Sequence, residues 1–239
     1  IGPFVGMFMM KLENGFDVIF YTNTVLSLLL LIASLFVKVS ITQKNTNSEL
    51  HSQKLSLLEK FIEPKAVPIS FVALLIGFAY SGVMSFLTFY SREINLVEAS
   101  SYFFLAYACV IIISRPYTGK LMDLRGPNII VYPCLIIFAV GMLLFSQASA
   151  SWMLLVAAAL IGLGYGNFNS IAQTIAVKVT EPHRFGLATS TYFIFYDLGL
   201  GIGPFILGMV EAHTTYRVIF ASMIPLVLIC IPLYYFLVG

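Results

Sequence analysis

Long apolar stretches with almost no charge constrain this chain more than any other feature of its sequence. Seven of them reach the length of about 20 residues that a helix needs to cross the hydrocarbon core of a bilayer. Each is continuous and does not alternate between apolar and polar residues, which favours helices over transmembrane strands. The sequence therefore predicts an all-α polytopic membrane protein with helices near 17–38, 67–90, 98–115, 128–147, 152–177, 186–211 and 216–238. Residues 1–10 are predicted to be the end of one more helix.

Composition and motifs narrow the class of protein further. Charged residues make up 10% of the chain, against about 25% in a soluble domain, so lipid must cover most of the surface. The phosphate-binding, zinc-protease and serine-hydrolase motifs are absent from the sequence, so neither ATP-driven pumping nor an enzyme is predicted. No metal site is predicted, because the three cysteines lie in apolar stretches without ligand spacing: Cys109, Cys134 and Cys230. No nucleic-acid partner is predicted either.

Lysine and arginine residues predict the orientation in the membrane. Ten of the 13 fall in one alternating set of loops, and only Lys11, Arg92 and Arg217 fall in the other. Cytoplasmic loops carry the excess of these residues. Loops 39–66, 115–127 and 178–185 are therefore predicted to be cytoplasmic, in a multi-pass protein of the cell membrane.

A change of composition at residues 39–66 predicts three regions. Residues 1–38 would end an N-terminal half, 39–66 would form a central cytoplasmic loop, and 67–239 would form a six-helix bundle. The apolar residues of the loop leave two possibilities open, a short helix lying on the membrane or a polar tether with a partly ordered end.

An internal repeat predicts a two-lobed architecture. The string IGPF occupies positions 1–4 and 202–205, and VIF follows at 18–20 and at 218–220. The second copy lies six membrane-spanning steps after the first, so both should run in the same direction. Parallel repeats of this kind are found in secondary transporters.

Four motifs resemble those of the major facilitator superfamily, in particular its twelve-helix drug/proton antiporters. Residues 115–127, RPYTGKLMDLRGP, resemble the loop signature G-x-L-x-D-x-x-G, although the usual basic pair after the last glycine is absent. GPFVGM at 2–7 and YDLGLGIGPFILG at 196–208 resemble the glycine–proline antiporter motif of the fifth and eleventh helices. HRFGLATS at 183–190 resembles the loop between helices ten and eleven.

The resemblance implies a transporter that works by alternating access. The chain would carry the end of helix five, helix six, the central loop and the C-terminal six-helix bundle, with the missing N-terminal half as its partner. The implied function is export of a small amphiphilic molecule or drug, driven by a proton gradient and without a cofactor. An importer of a nutrient by proton symport and a non-transporting membrane scaffold stay open as alternatives.

Two groups of residues are candidates for moving parts. The loop 115–127 would be a gating loop, with Asp123 paired to Arg115 or Arg125 and a tight turn at Gly119 and Gly126. The helix seam would use small residues for close approach and proline for a bend. Its members are Gly2, Pro3 and Gly6 on the fifth helix and Gly199, Gly203 and Pro204 on the eleventh.

Asp197 is the candidate for proton coupling, because the predicted helix 186–211 places it near the middle of the membrane. A charge there costs at least ~2.5 kcal/mol, so it should face the interior of the bundle or water. A structural carboxylate beside the glycines is the alternative. Polar and aromatic residues inside the spans suit an amphiphilic substrate. The substrate-cavity candidates are Tyr80, Ser81, Met84, Tyr107, Asn167, Gln173, Tyr192 and Tyr196.

Overall fold

The computed structural model describes residues 5–6, 9–10, 14–36 and 61–239. The contacts divide the chain into two compact units, 1–55 and 56–239. The dividing point falls in the predicted central loop. Gly2 and Pro3 lie outside the described residues, as does most of that loop, so the direction of Pro3 relative to Pro204 stays a prediction.

The first unit contains one membrane-length helix, α1 (Gly15–Phe36), which agrees with the predicted helix 17–38. Asn14 precedes it with a φ of 63°, a left-handed conformation that asparagine tolerates better than most residues. At Gly6, an added Cβ atom would meet no atom within 4 Å, so this glycine is not at a close helix contact within the described part of the unit.

The second unit is a bundle of helices without strands among its described residues. Six helices across the described parts of both units are long and apolar enough to span a membrane. The helices of the bundle are α2 (Val67–Glu93), α3 (Val97–Ser101), α4 (Phe103–Arg125), α5 (Asn128–Ser146), α6 (Ser151–Ile161), α7 (Asn167–Lys178), α8 (Phe185–Glu211) and α9 (Tyr216–Leu237). A π-helix, Gly162–Gly166, joins α6 to α7 into one span, and short 3₁₀ turns precede α2 and α8.

The prediction that residues 115–127 form a loop is wrong, because α4 continues as a helix to Arg125. Gly126 ends it with a φ of 83°, so only Gly126 and Pro127 separate α4 from α5. Gly119 is helical and makes no turn. The charged residues Lys120, Asp123 and Arg125 ended the apolar run in the sequence, but they continue the helix as a polar last turn.

Glycines set the closest helix contacts of the bundle. A Cβ atom on Gly199 would overlap the Leu74 carbonyl oxygen of α2, and one on Gly203 would overlap the Ser81 side chain. Small residues permit such approach in lipid, where packing holds helices together. The two glycines of the predicted seam therefore pack α8 on α2 inside the same bundle, and a contact between the fifth and eleventh helices stays a prediction. Pro204 lies half-buried within α8 beside them.

A second set of close contacts lies around the π-helix. A Cβ atom on Gly162 would lie 2.7 Å from the Tyr107 carbonyl oxygen of α4, and one on Gly166 would overlap Ile111. On the other side, a Cβ atom on Gly164 would lie 2.5 Å from the Phe138 nitrogen of α5. The π-helix is thus held between α4 and α5.

Hydrogen bonds at the two ends of the bundle agree with spans that alternate in direction. At one end the Tyr90 hydroxyl donates to the Phe145 carbonyl oxygen over 2.9 Å, and Arg217 donates to the Ala148 carbonyl oxygen over 3.0 Å. At the other end the Tyr234 hydroxyl donates to Asn128 Oδ1 over 2.7 Å. The end that holds Asn128 is the one predicted to be cytoplasmic.

The glycine contact of α8 predicts a difference between two alanine variants of one helix. Gly199→Ala should lower the free energy of unfolding by about 1–3 kcal/mol, the usual penalty for overpacking. Gly201→Ala is the matched control, since a Cβ atom there would meet nothing within 4 Å in the described chain. Unfolding of the purified full-length protein in detergent measures both. Equal stability of the two variants would contradict the contact.

Candidate functional site

Five tyrosines from four elements form a cluster inside the bundle. Tyr80 of α2 stacks on Tyr165 of the π-helix with 3.8 Å between ring centroids, and on Tyr107 of α4 with 5.9 Å. Tyr192 and Tyr196 of α8 are parallel with centroids 6.0 Å apart. The Tyr165 and Tyr196 hydroxyls share a hydrogen bond. The structure therefore brings four predicted cavity residues together around Tyr165.

Tyr165 is the functional candidate that sequence reasoning missed. It lies at the fourth position of the π-helix GLGYG, where the wider turn displaces side chains from their α-helical positions. The available signal was glycine at every second position, 162, 164 and 166, inside an apolar run. Such π-helical turns are frequent at functional sites.

Asn169 extends the cluster along the same face of the span. The Tyr192 hydroxyl donates to Asn169 Oδ1 over 2.6 Å, and Asn169 Nδ2 lies 3.5 Å from the Tyr196 hydroxyl. Gln173 follows four residues later, which places it on the same helix face. The Gln173 side chain is half-buried and makes no hydrogen bond to any residue that the structure describes. Its amide is therefore open to a ligand or to water.

Asn167 has a different environment from the one expected. It is buried, and its Nδ2 donates to Ser114 Oγ and to the Leu163 carbonyl oxygen, both over 2.8 Å. Its Oδ1 accepts from the Thr118 hydroxyl over 3.0 Å. The amide joins two helices and does not line an open space in the bundle.

Two further cavity candidates, Ser81 and Met84, do not line an open space inside the bundle. Ser81 is buried under Gly203, and its hydroxyl donates to the Phe78 carbonyl oxygen over 2.6 Å. It belongs to the packing contact between α2 and α8. Met84 is exposed on the surface of the described bundle.

The predicted gating residues have other partners. Asp123 Oδ1 accepts from Lys178 Nζ over 3.1 Å, and both side chains are exposed. Asp123 pairs with neither Arg115 nor Arg125 among the ion pairs of the described residues, so the predicted pairing stays a prediction for another transporter state. Arg115 instead donates from its NH2 group to Ser170 Oγ over 2.6 Å. It lies with Gly119 in a groove of about 540 Å³ between α4 and α7.

Asp197 lies in the middle of α8, as predicted, with its side chain on the exposed side of the helix. Ile194 and Leu198 beside it are exposed as well. Of the two expected environments, the structure excludes the interior of this bundle. Water or another part of the protein must therefore surround the carboxylate, because a charge facing lipid is unfavourable.

An ion pair at the predicted cytoplasmic end was not expected from sequence. Glu63 is buried, its carboxylate pairs with Arg184, and its backbone nitrogen donates to the Thr191 hydroxyl over 2.8 Å. The chain before α2 is thereby attached to the start of α8. No group of three potential metal ligands occurs within the described ranges.

Comparison with a family profile and comparison with individual proteins point to the same family. The sequence profile of the Major Facilitator Superfamily matches residues 1–148 and 98–239. The multidrug resistance protein MdtG of Enterobacter lignolyticus is 27% identical over 92% of this chain and 54% of its own length. MdtG of Salmonella heidelberg is 26% identical over 95% of this chain and 57% of its own length. The MFS-type efflux transporter pyiT of Pyricularia grisea is 30% identical over 51% of this chain and 20% of its own length. The chain thus spans about half the length of the MdtG relatives.

The Asn167 and Gln173 amides differ in their partners, so substitution by leucine should affect stability at one position and not at the other. Asn167→Leu should destabilise the protein by about 1–3 kcal/mol, because the Ser114 and Thr118 hydroxyls lose their partner in the helix contact. Gln173→Leu should leave stability nearly unchanged, since it removes no hydrogen bond seen in the described bundle. Unfolding of the full-length protein in detergent measures both. A stable Asn167→Leu variant would show that the bonds to α4 contribute little.

Proposed function

The chain belongs to the Major Facilitator Superfamily, and on that premise we propose that it is the C-terminal half of a transporter that exports small amphiphilic molecules in exchange for protons. Membership in a family of transporters agrees with the prediction that the chain is not an enzyme. The N-terminal half of the same transporter would complete the substrate cavity, and the cell membrane would be its location.

The observation that carries this proposal is the tyrosine–asparagine cluster. Tyr107 and Tyr196 are half-buried and combine flat apolar faces with hydroxyls, and the half-buried Asn169 adds an amide. The buried Tyr80 and Tyr165 contact these two tyrosines from inside the bundle. Aromatic surfaces with a few fixed polar groups suit molecules that are apolar with a polar end. The half-buried Gln173 amide would give such a molecule one more hydrogen bond.

The names of the relatives support export over import. Two are called multidrug resistance proteins and one an efflux transporter. Alternating access requires two halves that move about a site between them. The bundle supplies one such half, with the cluster on four of its elements.

Asp197 is the residue proposed to carry the coupled proton. It lies mid-helix, and its carboxylate makes no ion pair or hydrogen bond with the residues that the structure describes. A carboxylate between two halves would gain and lose a proton as its exposure to water changes. In this role it would face the substrate pathway only when both halves are present.

Export itself is tested in a bacterium that lacks its own drug pumps. Cells that make the full-length transporter should accumulate less of an amphiphilic dye than cells with an empty vector. Collapse of the proton gradient with an uncoupler should abolish the difference. Higher accumulation, reversed by the uncoupler, would instead show the importer that the sequence left open.

The role of Asp197 predicts a change in pH dependence. Export by the wild type in vesicles should rise as the trans side is made more acidic, and Asp197→Asn should flatten this profile because it cannot bind the proton. Asp123→Asn is the matched control. It should slow export through loss of the contact with Lys178 but keep the pH dependence of the wild type. An unchanged profile in Asp197→Asn would exclude this residue as the coupling site.

A further inference from the structure

Three tyrosines of the cluster lie near the middle of their membrane-length spans. Tyr80 lies 16 residues after the start of its span and 13 before the end, Tyr165 lies 14 and 13 residues from the two ends of its span, and Tyr196 lies 14 and 15. Because each residue is about equally far from both ends, the cluster lies near the level at which the hydrocarbon core of a membrane is centred.

Polar groups line the open side of the bundle around this level. Tyr196 and Asn169 are half-buried, and Asp197 is exposed. Polar and charged side chains at this depth are unfavourable against lipid tails. This side of the bundle must therefore face water or protein, as the wall of a transport pathway does.

The hydrogen bond between Tyr165 and Tyr196 has a defined direction. The Tyr165 hydroxyl has the Tyr196 hydroxyl as its one hydrogen-bond partner among the described residues. Tyr165 is buried, and a buried hydroxyl that donates no hydrogen bond is unfavourable. A hydroxyl has one proton to donate and can accept two hydrogen bonds. The proton in this bond therefore comes from Tyr165, and the Tyr196 oxygen accepts it.

The proton of the Tyr196 hydroxyl is then left without an acceptor in the described chain. Asn169 presents Nδ2 to this hydroxyl at 3.5 Å, and an amide nitrogen is a donor. Asn169 Oδ1 accepts from the Tyr192 hydroxyl over 2.6 Å, which orients the amide. Because Tyr196 is half-buried, its proton can point to the open side of the bundle. The cluster thus presents one hydrogen-bond donor beside aromatic rings.

We propose that the Tyr196 hydroxyl donates a hydrogen bond to an acceptor oxygen of the exported molecule, with Tyr165 as the positioning residue. The substrates would be amphiphiles whose polar end is an uncharged acceptor, such as a ketone, ester or ether oxygen. The negative charge of Asp197, the next residue, disfavours an anionic end. This inference rests on the proposed function, and it adds the kind of polar end that the cluster recognises.

Binding to the purified full-length transporter in detergent tests the donor with two probes that share one aromatic body. The naphthalene dye Prodan carries a ketone, and in its analogue a methylene group replaces the carbonyl. Micelles without protein give the background for both. Tyr196→Phe should weaken the binding of Prodan roughly fivefold, the size of one neutral hydrogen bond, and leave the analogue unchanged. The carbonyl stretching band of bound Prodan should move to higher frequency in this variant, because the oxygen loses its hydrogen bond.

Tyr165→Phe tests the direction of the proton. It removes the donor that orients the Tyr196 hydroxyl, so it should weaken the binding of Prodan by less than Tyr196→Phe does. Binding of Prodan tighter than in wild type would overturn the proposal, since Tyr196 would then be the donor to Tyr165. An equal loss of Prodan and analogue in Tyr196→Phe would also overturn it, because the ring and not the hydroxyl would be responsible.

Tyr117→Phe is the matched control. It removes the same hydroxyl from an exposed tyrosine of α4 outside the cluster, and it should leave both probes at wild-type affinity. Unchanged binding of the analogue to Tyr196→Phe shows in addition that this variant is folded.

The two proposals fail in different ways. If wild type exports an amphiphilic dye under a proton gradient but binds neither probe, or if Tyr196→Phe binds Prodan as wild type does, the donor site is wrong and the exporter stands. If wild type exports no dye under a proton gradient, the proposed function itself is wrong.

Discussion

Close contact between helices at glycine positions is the constraint on which the rest of this structure depends. In lipid, the hydrophobic effect does not press one apolar helix against another, so packing and hydrogen bonds must hold the bundle. Gly199 and Gly203 bring α8 against α2, and Gly162 and Gly166 bring the π-helical span against α4. A side chain at any of these positions would separate the pairs.

These contacts also position the functional residues. The glycines of α8 lie on the turns after Tyr196 and hold the Tyr192–Tyr196 face against the centre of the bundle, where Tyr165 meets it. The contacts at Gly162 and Gly166 hold Tyr165, which lies between these two glycines, beside Tyr107 of α4. Close packing at glycines therefore positions the aromatic cluster, and the proposal for transport follows from the chemistry of that cluster.

Sequence alone predicted the helices, the family and most of the aromatic cluster, because apolar length and motif order are local signals. Sequence alone did not predict which face of each helix packs against a neighbouring helix. Gly203 and Ser81 are far apart in sequence, so the glycine–proline motif around Gly203 did not predict their contact. The end of α4 was placed at Arg115, directly before Pro116 and the charged residues that follow, but the helix continues through Pro116 to Arg125. Tyr165 was missed because a π-helical turn changes the periodicity on which face assignments rest.

An experimental structure of the full-length transporter in lipid nanodiscs tests the central claim most directly, with side chains placed in both inward-open and outward-open states. The account predicts that Gly199 and Gly203 stay against Leu74 and Ser81 in both states, so that α2 and α8 move as one body. A structure in which these glycines turn away from α2 and pack against the other half in either state would contradict it.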